Sequence, residues 1–353
     1  MKRFNSFFIA AIAMAVTAAF VAPAFPVAAQ SSASLSIVPK RNYTIEAGKS
    51  VKDKLTIRNL DNDKTLDLTL RVIDFTYTDD GGTPKLMLDE DAPQTTWSLK
   101  PFMKVPETVR IPPKSSKTID VSVDIPAGHG AGSYYSAIVY SSGSPDGGNV
   151  GLNASGVTLA FVSIPGKVNE DLKLEKFGAY KLAAKDKKPS YTSFTMDEPQ
   201  NMAYTLKNNG NVTEAPVGSI TIKDIFGREQ TISEVNPNKS LALIGQTRTY
   251  TACIKLKAQE VELGGSKTET KTCTSPGLWP GYYSAKLNLL YGQNGNNTKE
   301  IVGSASFWYM PLWFIIVLIV LVLAIAFGIW MIVRKVRNRT PQGARPKKLS
   351  RKK

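Results

Sequence analysis

The sequence predicts an all-β fold of two tandem sandwiches, followed by one transmembrane α-helix. Three observations carry this: alternating apolar runs through the middle of the chain, a repeat with a spacing of 149 or 148 residues, and 27 uncharged residues from Phe307 to Val333. Each part follows in chain order.

Residues 1–29 read as a signal peptide. Lys2 and Arg3 precede an apolar stretch from Phe7 to Val21, then Pro23 and Pro26. Val27 and Ala29 put small residues where a signal peptidase reads, so Gln30 becomes the mature N-terminus. An uncleaved anchor is the alternative, and the two prolines would make it a poor spanning helix.

Between Gln30 and Ser306 lie 277 residues, enough for two sandwiches of ordinary size. Ile119, Val121, Val123 and Ile125 alternate with polar residues, as do Leu66, Leu68, Leu70 and Val72. A strand with one buried face has this period. After Val72 the apolar phase shifts to Ile73, Phe75 and Tyr77, which reads as a β-bulge ahead of an Asp79-Asp80-Gly81-Gly82 turn. Leu55-Thr56-Ile57-Arg58-Asn59 recurs as Tyr204-Thr205-Leu206-Lys207-Asn208, and Tyr134-Tyr135-Ser136-Ala137 as Tyr282-Tyr283-Ser284-Ala285, each of the latter pair after a glycine, Gly132 or Gly281. Tandem immunoglobulin-like sandwiches follow, residues 30–167 and 168–306, with the boundary near Pro165-Gly166-Lys167.

Residues 307–333 are assigned to the span. The 22 from Leu312 to Val333 would extend about 33 Å as a helix, enough for a bilayer core. Trp308, Tyr309 and Trp313 crowd one end and Trp330 the other, as interface anchors do, and Arg334 and Lys335 follow directly. The tail, 334–353, holds ten Lys or Arg and no acid, so the positive-inside rule makes it cytoplasmic and the N-terminal part external. The formal net charge of +15 is therefore misleading: the tail carries ten of those charges and Lys2 and Arg3 two more, leaving +3 for the rest. That distribution excludes a nucleic-acid-binding face and assigns the tail to anionic lipid head groups.

The middle of the chain also resembles a known family. The Asp74-Phe75 strand, Trp97, the run from Val109 to Ile125 ending in Pro126, and the Gly-Tyr-Tyr strand are similar to the first domain of the WxL-interacting proteins of Gram-positive surfaces. Asn208-Asn209-Gly210-Asn211-Val212, Pro216, Gly218-Ser219-Ile220, Phe226-Gly227 and Pro280-Gly281-Tyr282 resemble the second. The lay-out is also similar to the periplasmic pilus-chaperone sandwich. The resemblance implies a membrane-anchored protein with cell-wall polymer or surface proteins as partners. It carries no binding residue across; Asn59 and Asn208 are expected to bond loop backbone at strand ends.

No catalytic set is visible, and neither cofactor, metal nor small-molecule substrate is expected. The one histidine, His129, lies in a Gly-rich loop. Asp79-Asp80 and Asp89-Glu90-Asp91 lack the spacing of a calcium loop. Trp97 is read as core, and the acceptor tripeptides at Asn42, Asn153, Asn211, Asn238 and Asn296 as turn residues. Cys253 and Cys273 are the only cysteines, and an oxidising compartment would let them pair. Tyr250, Ala252, Ile254 and Leu256 share one strand face, so Cys253 points away from the core. Its closure with Cys273 would rigidify residues 254–272, worth about 3 kcal/mol by chain entropy, either as a binding loop or as a stapled hairpin. The expected function is a non-enzymatic surface scaffold for adhesion or cell-wall binding; the alternative is an assembly factor that pairs a strand edge with a secreted subunit.

Overall fold

A computed structural model describes residues 35–78, 82–88, 94–142, 154–182, 188–263, 266–292 and 298–338. The signal segment, the acids at 79–80 and 89–91, Gly264-Gly265, Asn153, Asn296 and the tail after Asn338 lie outside them.

The first sandwich packs two sheets. One runs in the order β1 (Leu35–Ser36), β3 (Ser50–Asn59), β9 (Ser116–Asp124), β7 (Met103–Lys104). The other runs β2 (Lys40–Thr44), β11 (Ala154–Ile164), β10 (Gly132–Ser142), β4 (Leu66–Ile73), β8 (Thr108–Ile111), with β2 parallel to β11. Leu55, Ile57, Leu68, Leu70, Ile119, Val121 and Val123 fill the space between them, as the alternation requires.

The second sandwich repeats this plan. β13 (Ser190–Thr192), β12 (Leu172–Lys181), β15 (Asn201–Asn208) and β18 (Thr247–Cys253) form the four-stranded sheet. β14 (Phe194–Thr195), β22 (Lys299–Tyr309), β21 (Gly281–Tyr291), β16 (Val217–Asp224) and β17 (Glu229–Ile232) form the five-stranded one, again with a parallel edge, β14 on β22. Asn59 and Asn208 occupy the same place, each donating its amide to loop carbonyls: Lys64, Ile111 and Pro112 for one, Val212 and Ala242 for the other.

One of the two sequence matches is out of step with the structure. Tyr283 faces the second core, whereas Tyr135 faces away from the first, and it is Tyr134 that packs inward. The structural spacing is 149 residues, the one that also relates Gly132 to Gly281 and Asn59 to Asn208. A slip of one residue turns every side chain of a strand to the other face, so the shared Tyr-Tyr-Ser-Ala letters have different duties. Both glycines hold φ +153°, and they fix where the strand begins.

The expected bulge after Val72 is instead a break. The chain leaves the sheet at buried Asp74, and β5 (Phe75–Tyr77) pairs with β6 (Pro84–Leu86) as a separate ribbon. Asp74 makes the break tolerable by accepting from the hydroxyls of Ser98 (2.7 Å), Ser136 (2.8 Å) and Thr95 (3.3 Å).

The apolar helix begins later than the hydropathy suggests. β22 continues through Phe307, which is buried against Tyr283, and through Trp308 and Tyr309; only Met310 and Pro311 separate it from α1 (Leu312–Arg337). α1 also passes Val333 to include Arg334, Lys335 and Arg337, helix-forming cations well placed in a last turn. Among the described residues it is the one helix long and apolar enough to cross a membrane.

Candidate functional site

The two sandwiches share a junction, and it is built from the outer face of β10 and its neighbours. Ile73, Phe75, Tyr135, Ala137, Val139 and Phe161 are buried there, although they point away from the first core. Leu243 covers them with partly buried Leu241 and Ile244, all from the segment that precedes β18. Phe75 lies 5.2 Å from Tyr135 and 5.9 Å from Phe161, ring centre to ring centre, in the tilted and edge-on arrangements that aromatic pairs favour. Trp97 stacks on Tyr135 at 5.9 Å, so it belongs to this junction and is only half-buried; Leu99 is the core residue of that segment.

Polar contacts fix the angle between the sandwiches. Tyr77 donates its N–H to Gln246 Oε1 (3.2 Å) and its hydroxyl to the Leu241 carbonyl (3.2 Å), and Arg248 Nη1 donates to Tyr77 Oη (2.9 Å). On the other flank Ser133 N–H donates to the Asn211 carbonyl (3.1 Å), Asn211 Nδ2 to the Ala131 carbonyl (3.2 Å), and Thr213 N–H to Ser133 Oγ (3.0 Å). Burial raises the pKa of the Tyr77 and Tyr135 phenols. Asn211, a tripeptide acceptor position, is thus an inter-domain hydrogen-bond residue.

Beside the junction opens a cleft of about 250 Å³ lined by Asn42, Tyr43, Thr44, Phe161, Thr213 and Glu214, among others. The parallel edge strand β2 forms one wall. Lys40, at its start, holds its ammonium 5.0 Å above the Phe161 ring; burial and, second, the nearby Arg248 guanidinium lower its pKa. Sequence reasoning missed Lys40 and Arg248, which lie some 200 residues apart in the chain. The available signal was the apolar run Leu241-Ala242-Leu243-Ile244 in a stretch otherwise read as loop.

Edge strands differ in how far they are protected. β3, which β1 covers only at Arg58 and Asn59, presents Lys52 and Lys54 along the rest of that side, and β2 presents Lys40 and Arg41, the charges that discourage pairing with another chain. β18 is paired by β15 on one side, and among the described residues no strand lies on its other side. Its one charged residue, Arg248, is engaged with Tyr77 at the junction.

Cys253 and Cys273 are joined, with Cα atoms 5.4 Å apart, at the base of a hairpin made by β19 (Leu256–Leu263) and β20 (Ser266–Cys273). Leu256 is exposed, because the chain leaves the sheet at Cys253 and the face it shared with Tyr250 and Ala252 ends there. Cys253 pairs with Asn201, at the end of the sandwich nearest α1.

His129 sits between the rings of Phe102 (4.6 Å) and Tyr134 (4.5 Å), a packing position. Among the described residues no group of three or more His, Cys, Asp or Glu could hold a metal ion. Trp313 is exposed on the first turn of α1, and Arg334 stacks its guanidinium on Trp330 at 5.2 Å.

No family model matches the chain, and neither does any curated protein. Solved structures with a similar fold include the class 5 fimbriae chaperone CfaA, 13% identical over 79% of this chain and 100% of that one, TM-score 0.31. The E. coli chaperone DraB is 14% identical over 78% and 96%, TM-score 0.32. A chain from a chaperone–tip adhesin complex of CFA/I fimbriae biogenesis is 11% identical over 76% and 97%, TM-score 0.33. The likeness is one of β fold alone.

Proposed function

We propose that this chain is a non-enzymatic, membrane-anchored binding protein that presents a rigid pair of sandwiches to surface or secreted proteins close to the bilayer. In this reading α1 crosses the membrane once, the sandwiches face outward and the basic tail lies inside. The observation that carries it is the mounting. The first sandwich is fixed to the second by a buried apolar junction with polar flanks, and the second passes into α1 through Met310 and Pro311 alone. A binding surface held this way loses little entropy when it takes a partner. The cleft beside β2 is a concavity to which both sandwiches contribute, and surface proteins are the partner class that the resemblance to WxL-interacting proteins implies.

Photo-cross-linking residues introduced in living cells at Thr44 and Thr213, in the cleft, test this against Asn288, which is exposed on the open face of β21. Protein adducts at the cleft positions and none at Asn288 are expected. Adducts nowhere, at a normal surface level of the protein, would sink the proposal.

A second reading is favoured by β18: its open seven-residue edge could take a strand from a secreted subunit, as an assembly factor would. Adducts confined to Thr251, exposed on that strand, would select it.

A further inference from the structure

The second sandwich gathers six large exposed apolar side chains at one end. Ile225 and Phe226, at the tip of the turn between β16 and β17, are 63% and 75% exposed, and Trp279, ahead of β21, is 65% exposed. Phe194, Met196 and Trp308 are exposed nearby. Strand register puts them at one level. Asp224 is opposite Tyr283 and Tyr283 opposite Phe307, so the two residues after Asp224 stand level with Trp308 and Tyr309. Phe194 pairs with Trp308 and Thr195 with Tyr309, which brings Met196 level with Met310. Trp279 precedes Gly281, the partner of Tyr309, by two residues.

That level is set by the anchor. α1 starts at Leu312, three residues after Tyr309, and extended chain rises about 3.3 Å per residue. Head groups add roughly 5–7 Å to each side of the hydrocarbon core. Met196, Trp279 and the side chains hanging from the Tyr309 level therefore reach the head-group layer. The positions lie on both sides of β22 in the sheet order, with neighbouring strands about 4.8 Å apart, so they form a base under the domain and not a single point.

We propose that this end of the second sandwich is a lipid-docking face, whose Ile225-Phe226 turn and Trp279 insert into the head-group layer of the bilayer that α1 crosses. The charges nearby are paired or hydrogen-bonded. The Arg228 guanidinium lies 5.7 Å from the Phe226 ring and 5.4 Å from that of Trp279, and its Nε bonds Asp224 at 2.6 Å. Asp197 faces Lys181 at 3.9 Å, and Glu198 accepts from Ser275 Oγ and the Leu278 N–H. Aromatic rings with one stacked arginine are the side chains that interfaces select. Docking at several points fixes the tilt of the sandwiches, which one helix cannot do.

The proposal rests on α1 spanning a bilayer, and the test separates the two. Ile225→Cys, Phe226→Cys and Trp279→Cys, each carrying a nitroxide, are placed one at a time in the full chain, reconstituted in vesicles of phosphatidylethanolamine and phosphatidylglycerol. Leu312→Cys serves as the lipid reference and Asn238→Cys, exposed at the far end of the domain, as the aqueous one. The ratio of collisions with oxygen to collisions with a water-soluble nickel chelate is expected to be severalfold higher at 225, 226 and 279 than at 238. Ratios at the three positions equal to that at 238, with 312 in lipid, would overturn the docking face and leave the span intact. A ratio at 312 equal to that at 238 would overturn both.

Discussion

β10 and β21 hold the same place in the same topology, yet β21 is buried on one face and β10 on two. Along β21 burial alternates, with Tyr283, Ala285, Leu287, Leu289 and Tyr291 inside and Ser284, Lys286, Asn288 and Leu290 exposed. Along β10 the outward residues Tyr135, Ala137 and Val139 are as buried as the inward Ile138 and Tyr140. The difference lies in what each sheet must do. A free sandwich face needs polar residues at alternate positions, whereas the first sandwich lends its outer face to the second. Two sandwiches of the same plan are thus joined into one unit by the apolar outer residues of a few strands and by Leu241, Leu243 and Ile244, which cover them.

The largest effect should come from breaking the cover. Leu243 is fully buried between the sandwiches, so Leu243→Ala is expected to cost about 2–5 kcal/mol. In urea titrations in detergent of the full chain with Trp279, Trp308, Trp313 and Trp330 replaced by Phe, the fluorescence of Trp97, stacked on Tyr135, should change at lower urea than the signal of the sheets. A single unchanged transition would mean that the junction contributes nothing to holding the two sandwiches together.

The asparagine pair sharpens the comparison at smaller scale. Asn59→Ala and Asn208→Ala each orphan buried loop carbonyls, a loss on the order of 1–3 kcal/mol. Asn208 also holds Ala242, inside the covering segment, while Asn59 bonds only within its own sandwich. Asn208→Ala should therefore shift the Trp97 signal as well as lower the urea midpoint, and Asn59→Ala only the midpoint. Equal effects on Trp97 would show that the covering segment is held without Asn208.

What could be read in the sequence follows from the same contrast. β9 was legible because Ile119, Val121 and Val123 face one core and Asp120 faces water. β10 invited a mistaken register, because a strand buried on both faces has no alternation to fix its phase. Phe307 was assigned to the span since hydropathy does not distinguish the end of a buried strand from the start of a membrane helix. The cleft was illegible for another reason: Asn42, Phe161 and Thr213 come from three distant parts of the chain; strand pairing in the first sandwich joins the first two, and only the docking of the sandwiches brings Thr213 beside them.

The most discriminating effect belongs to the two glycines that start these strands. Both have φ +153°, where a side chain is strained, so Gly281→Ala and Gly132→Ala share a backbone cost on the order of 1–3 kcal/mol. Their surroundings differ. A Cβ at 281 meets nothing within 4 Å, and that variant should show the strain alone. A Cβ at 132 would stand 2.8 Å from the carbonyl oxygen of Asn211, the atom that accepts from Ser133 N–H. The Asn211 backbone must shift, and with it the contacts to Ala131 and Ser133 that flank the junction. Gly132→Ala should accordingly lower the urea midpoint further than Gly281→Ala and also alter Trp97 fluorescence in the native state. Equal midpoints and an unchanged Trp97 signal would mean that the Asn211 flank yields freely, and that the angle between the sandwiches is set by the apolar cover and Tyr77 alone.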